Sequence, residues 1–231
     1  MEYIHNTEQF QFHNTVVALG KFDGMHKGHQ LIFDELIQYK QLGYQAAVFS
    51  FDRPPLNMLK HKHMRVIYTT NEKIKLLARR GIDIYIEHPF TDEFSHLSPE
   101  DFVIKVLLEK TGMKVLVVGD DCGFGYKRQG NVELLERMSK EYDFKLIVIP
   151  KLELEGEIVS STRIRHLLSE GKVEEANRLM EDPFMICGSV VHGNHMGAEV
   201  LQMPTANQIP LEDKLLPPNG VYVSRIHYKD E

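Results

Sequence analysis

Cysteine is scarce in this chain, and the two present, Cys122 and Cys187, form no metal-ligand pair. They argue against a structural metal site and against a disulfide framework, and read as incidental or buried thiols of a reducing compartment. An excess of positive charge is also missing. The formal net charge is −6, which leaves no general surface field for nucleic acid or an anionic membrane, so an anionic ligand has to be held by a local site. No apolar run approaches the roughly 20 residues that span a bilayer. The opening MEYIHNTEQF has neither the basic start nor the apolar stretch of a secretory signal, and a cytoplasmic location is expected.

What is present is a globular composition. With 231 residues and 42% hydrophobic content the chain can bury a substantial core, in one large domain or two modest ones. Short β-branched and apolar runs alternate with segments of helical spacing, the pattern of a parallel sheet wrapped by helices. Strands are expected at 15–19, 45–50, 82–87, 114–118 and 145–149, a five-stranded α/β sheet. Helices are expected at 27–41, 71–80, 99–110 and 132–142, with Ser98 capping the third, and then from Ser161 and over 173–180. Near Pro183 the pattern changes to strands at 186–192 and 221–226, separated by a loop rich in Pro, Gly and Asn. The expected units are therefore 1–182 and 183–231.

Open parallel sheets bind ligands beyond the carboxyl ends of their strands, and three segments there carry chemistry. GKFDGMHKGH, Gly20 to His29, follows the first of these strands directly. Gly20 and Gly24 permit a tight turn and close backbone approach, and the helix behind directs free N–H groups at whatever fills the turn, which suits a polyphosphate. His26 and His29 share a helix face and can point imidazole donors at one phosphate. Taken alone, H-x-G-H also fits a helix cap beside a surface histidine; its place after the first strand favours the phosphate. VSSTRIR, Val159 to Arg165, offers hydroxyl groups and two guanidinium forks at another helix start. The loop VGDDCGFGYKRQG, Val118 to Gly130, combines an acid, two aromatics and two cations, a composition that can stack a flat heteroaromatic ring.

Together with FDRPP at 51–55, EKIKLLARRGID at 72–83, FSHLSPEDF at 94–102 and VSSTRIRHLLSEGKVEEA at 159–176, these segments resemble the adenylyltransferase module of bacterial bifunctional riboflavin kinase/FAD synthetases. The resemblance covers about residues 12–182. It implies a Rossmann-like nucleotidyltransferase fold, ATP with Mg²⁺ as nucleotide substrate, and FMN as acceptor. By that likeness His26, His29 and Arg165 are the catalytic groups, and Gly20, Phe22, Asp23, Gly24, Ser161 and Thr162 surround ATP. Asp121, Phe124 and Arg128 border the flavin. Arg53 and Pro54 stand where the family usually has a histidine.

The segments at 188–193, 204–207 (PTAN) and 220–222 resemble the opening of the family's riboflavin kinase module, a partial β-barrel. Riboflavin kinase activity is expected to be absent from the chain as it stands, with 184–231 poorly ordered, packed on the first domain, or pairing with another chain. Direct in-line transfer is expected, without a covalent enzyme intermediate. The competing readings are a nucleotidyltransferase with another phosphate acceptor and a flavin- or nucleotide-sensing paralogue that binds without turnover. Arg137-Met138-Ser139-Lys140 superficially matches the second signature of class I aminoacyl-tRNA synthetases, but lies inside a helical pattern. His61, His63 and His88 are read as surface residues.

Overall fold

Six parallel strands, one more than the sequence pattern indicates, form the main sheet of the computed structural model, which describes residues 1–52, 65–191 and 206–227. In chain order the elements are β1 (Glu2–His5), β2 (Thr15–Leu19), α1 (Lys27–Gln41), β3 (Gln45–Phe51), α2 (Thr70–Arg79), β4 (Ile84–His88), α3 (Asp92–Ser95) and α4 (Pro99–Asp101). A π-helical segment, Phe102–Leu108, continues α4, followed by β5 (Met113–Gly119), α5 (Val132–Glu141) and β6 (Lys145–Ile149). A two-stranded hairpin, β7 (Glu153–Leu154) with β8 (Glu157–Ile158), precedes α6 (Ser161–Ser169) and α7 (Val173–Leu179).

The sheet order is β1-β4-β3-β2-β5-β6. After β4 the chain crosses to the other side of β2, so the order reverses at β2/β5, the position at which open parallel sheets bind ligands beyond their carboxyl ends. Alternate residues of each strand supply the two faces. Val16, Ala18 and Val48 enter one buried cluster under α1, α2 and α6. Val17, Leu19 and Phe49 enter the other, under the π-helical segment and α5. Burial on both faces explains why β2 to β5 read as nearly continuous apolar runs.

The sixth strand, β1, has the polar sequence EYIH and gives no such signal. It pairs with β4 in the register Glu2↔Ile84 to His5↔Glu87. Tyr3 anchors it, donating a 2.6 Å hydrogen bond to Glu87 and stacking on Tyr85 with centroids 5.4 Å apart. The helix expected at 99–110 starts where Ser98 accepts from the Asp101 N–H at 3.0 Å, but widens from Phe102. The wider turn keeps Phe102, Val103, Val106 and Leu107 all against the sheet. α2 starts one residue earlier than its spacing suggests, because Thr69 and Glu72 form a reciprocal capping box.

In the C-terminal part, β9 (Gly188–Val191) pairs antiparallel with β10 (Asn207–Pro210). The strand expected at 221–226 does not form. It finds no ladder partner among the described residues, and Val221, Val223 and Ile226 are left exposed. Among the described residues of the expected C-terminal unit, Leu215 donates to the Val66 carbonyl at 2.7 Å, and Phe184, Met185 and Leu215 pack against the first core cluster, while β9, β10 and 221–227 stay largely exposed. No helix among the described residues is long and apolar enough to cross a membrane.

Candidate active site

β2 ends at Leu19, and the chain turns through Gly20 to Met25 before α1 begins. Gly24 has φ +85°, and a Cβ there would lie 3.0 Å from Ile67 Cδ1, so glycine answers both a left-handed backbone and a close approach. Phe22 and Met25 also adopt positive φ, 48° and 38°. Their side chains are buried at 3% and 5% exposure, and that packing offsets the backbone strain.

This turn delivers Asp23 into the interior, 3% exposed. One carboxylate oxygen accepts from the Ile67 N–H at 2.9 Å and, more weakly, from the Tyr68 N–H at 3.4 Å. The other is paired with the Arg165 guanidinium. Arg165 also donates to the Arg65 carbonyl, and the Ser161 hydroxyl donates to the Asp23 carbonyl. Gly20–His29 and Val159–Arg165 are therefore physically joined through Asp23, on one edge of the sheet. Ser160 caps α6, accepting from the Arg163 N–H at 3.3 Å, and Thr162 lies exposed in the helix's first turn.

His26 is the extended N-cap residue of α1 but caps nothing with its side chain. Its ring lies on that of His29, with centroids 3.6 Å apart and planes 18° from parallel, while Phe22 meets His29 edge-on at 5.2 Å. Gly28 permits this: a Cβ there would sit 3.1 Å from His26 Nδ1. Both Nδ1 atoms are buried and lack a hydrogen-bond partner among the described residues. Burial lowers the His26 pKa to about 4, against the opposing pull of Asp23 and Asp121. It lowers that of His29 well below the usual range, assisted by His26. Two stacked neutral imidazoles with unmet polar atoms suit an incoming group that brings its own negative charge.

The glycine-rich loop after β5 closes on itself. Phe124 and Gly130 exchange backbone hydrogen bonds of 3.1 and 2.9 Å. The Phe124 ring is only 6% exposed and packs on Phe102 with centroids 5.8 Å apart, so it anchors the loop to the core and offers no open face for stacking. Arg128 is exposed at φ 59°, its guanidinium lying over Gly123, where a Cβ would meet Nε at 2.8 Å. Asp121 is exposed and pairs with Lys151 at 3.1 Å. Of the three residues expected to border a flavin, Asp121 and Arg128 are thus accessible and Phe124 supports them from behind.

Beside Asp23 lies a cavity of about 60 Å³, lined among others by Lys21, Asp52, Tyr68, Lys73 and Asp213. Burial lowers the Lys21 pKa, partly offset by Asp23. Lys21 lies in the turn between β2 and α1, yet the sequence gives no sign that it lines this cavity, because a lysine in a turn reads as a solvated charge. Arg53, Pro54, His61, His63 and Pro204 to Thr205 fall outside the described residues. His88 departs from its expected surface position, being 1% exposed with its ring over Phe94 at 4.3 Å.

The model of the FAD synthetase family matches residues 8–163. The chain belongs to the FAD synthetase family. A riboflavin kinase family model matches residues 180–231 of this family member as well. Named relatives include the bifunctional riboflavin kinase/FMN adenylyltransferase of Buchnera aphidicola subsp. Schizaphis graminum, 38% identical over 96% of this chain and 72% of the relative. That of Listeria monocytogenes is 35% identical over 99% and 74%, and that of Escherichia coli 32% identical over 96% and 71%. Among solved structures, one from Streptococcus pneumoniae described as a macrolide-efflux protein superposes with a TM-score of 0.83 at 31% identity, covering 95% of this chain and 72% of its own. The expectation that this FAD synthetase relative lacks kinase activity has no support in these findings, since the kinase model matches its C-terminal part and the named relatives are bifunctional.

Proposed function

We propose that this chain transfers AMP from Mg·ATP to FMN, forming FAD and pyrophosphate by direct in-line displacement. The observation that carries the reading is the junction at Asp23, which sets the Ser161 and Arg165 cluster beside the turn that leads to the His26/His29 pair. In this reading a phosphate oxygen of FMN attacks the α-phosphorus of ATP and pyrophosphate leaves. FMN phosphate is already anionic near neutral pH, so no strong general base is needed, and positioning with charge stabilisation dominates.

His26 and His29 donate to the phosphoryl oxygens where charge builds, and the free N–H groups at the start of α1 add to that field. Gly20, Phe22 and Gly24 shape the turn that receives the nucleotide, Ser161 and Thr162 border it, and Arg165 supplies cationic charge from the far motif. Mg²⁺ arrives with ATP as part of the substrate and offsets phosphate charge. Asp121 and Arg128, held by the anchored Phe124 loop, border the flavin.

Incubating the chain with ATP, Mg²⁺ and FMN and separating the flavins by chromatography tests the proposal. FAD with stoichiometric pyrophosphate is the expected result. Binding of both ligands without FAD would instead favour a sensing role, and product only with a different phosphate acceptor would reassign the substrate. The same assay with riboflavin replacing FMN reports kinase activity separately.

A further inference from the structure

The mechanism above leaves one buried ion pair unused. Lys214 and Glu72 have side chains of 0% exposure and meet at 2.7 Å. Lys214 also donates to the Ile67 carbonyl at 2.6 Å, and its ammonium stands 4.4 Å from the Phe184 ring centroid and 5.0 Å from that of Tyr68. A lysine buried this completely is costly unless its donors are met, and Glu72, the Ile67 carbonyl and the two rings meet them. Glu72 is shared further: it accepts from the Thr69 N–H at 2.8 Å and the Cys187 N–H at 2.7 Å. The backbone repeats the connection, with Val66 donating to the Asp213 carbonyl and Leu215 to the Val66 carbonyl, both at 2.7 Å.

The bonds to the Ile67 carbonyl, the Thr69 N–H and both backbone groups of Val66, with the Tyr68 ring, converge on residues 66–69. On its other side the same short segment presents the Ile67 and Tyr68 N–H groups that hold the carboxylate of Asp23, which in turn pairs with Arg165. Asp213 lines the same small cavity as Asp23. We infer that Lys214 is a positioning residue for the nucleotide site: residues 213–215 clamp residues 66–69 and thereby set Asp23 and Arg165, so the C-terminal segment controls how the adenylyltransferase site receives Mg·ATP. The inference rests on the proposed function for the identity of the ligand. Because coupling between two sites is reciprocal, Mg·ATP binding must tighten the clamp as the clamp favours binding.

The test uses the full chain. Mg·ATP affinity is measured by calorimetry, alongside FAD formation and thermal melting, for the wild type, Lys214→Met, Asp23→Asn and the double variant. Folded Lys214→Met is expected to bind Mg·ATP about tenfold more weakly, and the double variant no more weakly than Asp23→Asn alone, since both act through one connection. Unchanged affinity in folded Lys214→Met, or additive losses in the double variant, would overturn the inference. Should Lys214→Met not fold, hydrogen exchange on the wild type decides. The Leu215 amide, which donates to Val66, should exchange more slowly when Mg·ATP binds, together with Ile67 and Tyr68; protection of Ile67 and Tyr68 without Leu215 overturns the inference. A wild type that binds Mg·ATP but makes no FAD would sink the proposed activity while leaving the clamp testable by affinity and exchange.

Discussion

Asp23 and Arg165 are 142 positions apart in the chain and form an ion pair at the mouth of the sheet, with Asp23 buried and Arg165 partly exposed. The pair takes charge out of water, so its two members differ from a surface salt bridge in what their loss does. Replacing Arg165 by methionine leaves Asp23 buried with only the Ile67 and Tyr68 N–H groups as partners. The expected cost is about 3–5 kcal/mol of stability, together with near-complete loss of FAD formation. Arg165→Lys, which keeps charge but loses the two-armed geometry that reaches both Asp23 and the Arg65 carbonyl, should fold better yet remain slow. Melting temperature and initial rate, measured side by side, separate the two effects.

His29→Ala should lower turnover roughly a hundredfold, about 3 kcal/mol of transition-state stabilisation, while changing Mg·ATP affinity far less. Single-turnover kinetics with saturating ATP is the appropriate measurement. A loss confined to KM would instead remove His29 from the transition state.

Acid should destabilise the protein through His26. Its pKa falls from an ordinary 6.5 to about 4 on folding, so the unfolded chain binds the proton more readily. The corresponding stability is fully present above about 6.5 and is lost as pH drops through the folded pKa near 4. Urea midpoints across that range should decline less steeply in His26→Asn than in wild type. Mg·ATP should flatten the decline too, because phosphate oxygens placed beside the rings favour their protonated forms.

Gly125→Ala should loosen the glycine-rich loop. Gly125 has φ +68°, and a Cβ would fall 2.7 Å from Pro99 Cα, a backbone atom that cannot step aside cheaply. Since Phe124 and Gly125 tie the loop to the core, the expected result is weaker FMN binding with ATP affinity retained, read by flavin fluorescence.

Much of the architecture was legible because β2 to β6 and their helices carry strong periodicity, and α1 and β6 begin and end at the residues their patterns indicate. β1 was not, because EYIH buries little and its place is decided by Tyr3 reaching Glu87 across the sheet. Phe124 looked like a stacking surface because an aromatic in a glycine loop has no periodicity to declare which way it faces. Lys214 had no signal either: a lysine in a Pro- and Leu-rich loop reads as a surface charge until Glu72 is found beside it.

The local sequence by itself determined the alternating α/β order, the helix starts behind His26 and near Ser161, and the chemical types gathered in each motif. Those follow from hydrogen bonding and side-chain spacing within a few residues. Only the tertiary structure decided that Asp23 is the meeting point of Ile67, Ser161 and Arg165, that the two imidazoles stack, and that residues 213–215 reach back to clamp 66–69. These depend on contacts between distant parts of the chain, whose energy arises when the sheet and its helices bring them into the same dry space.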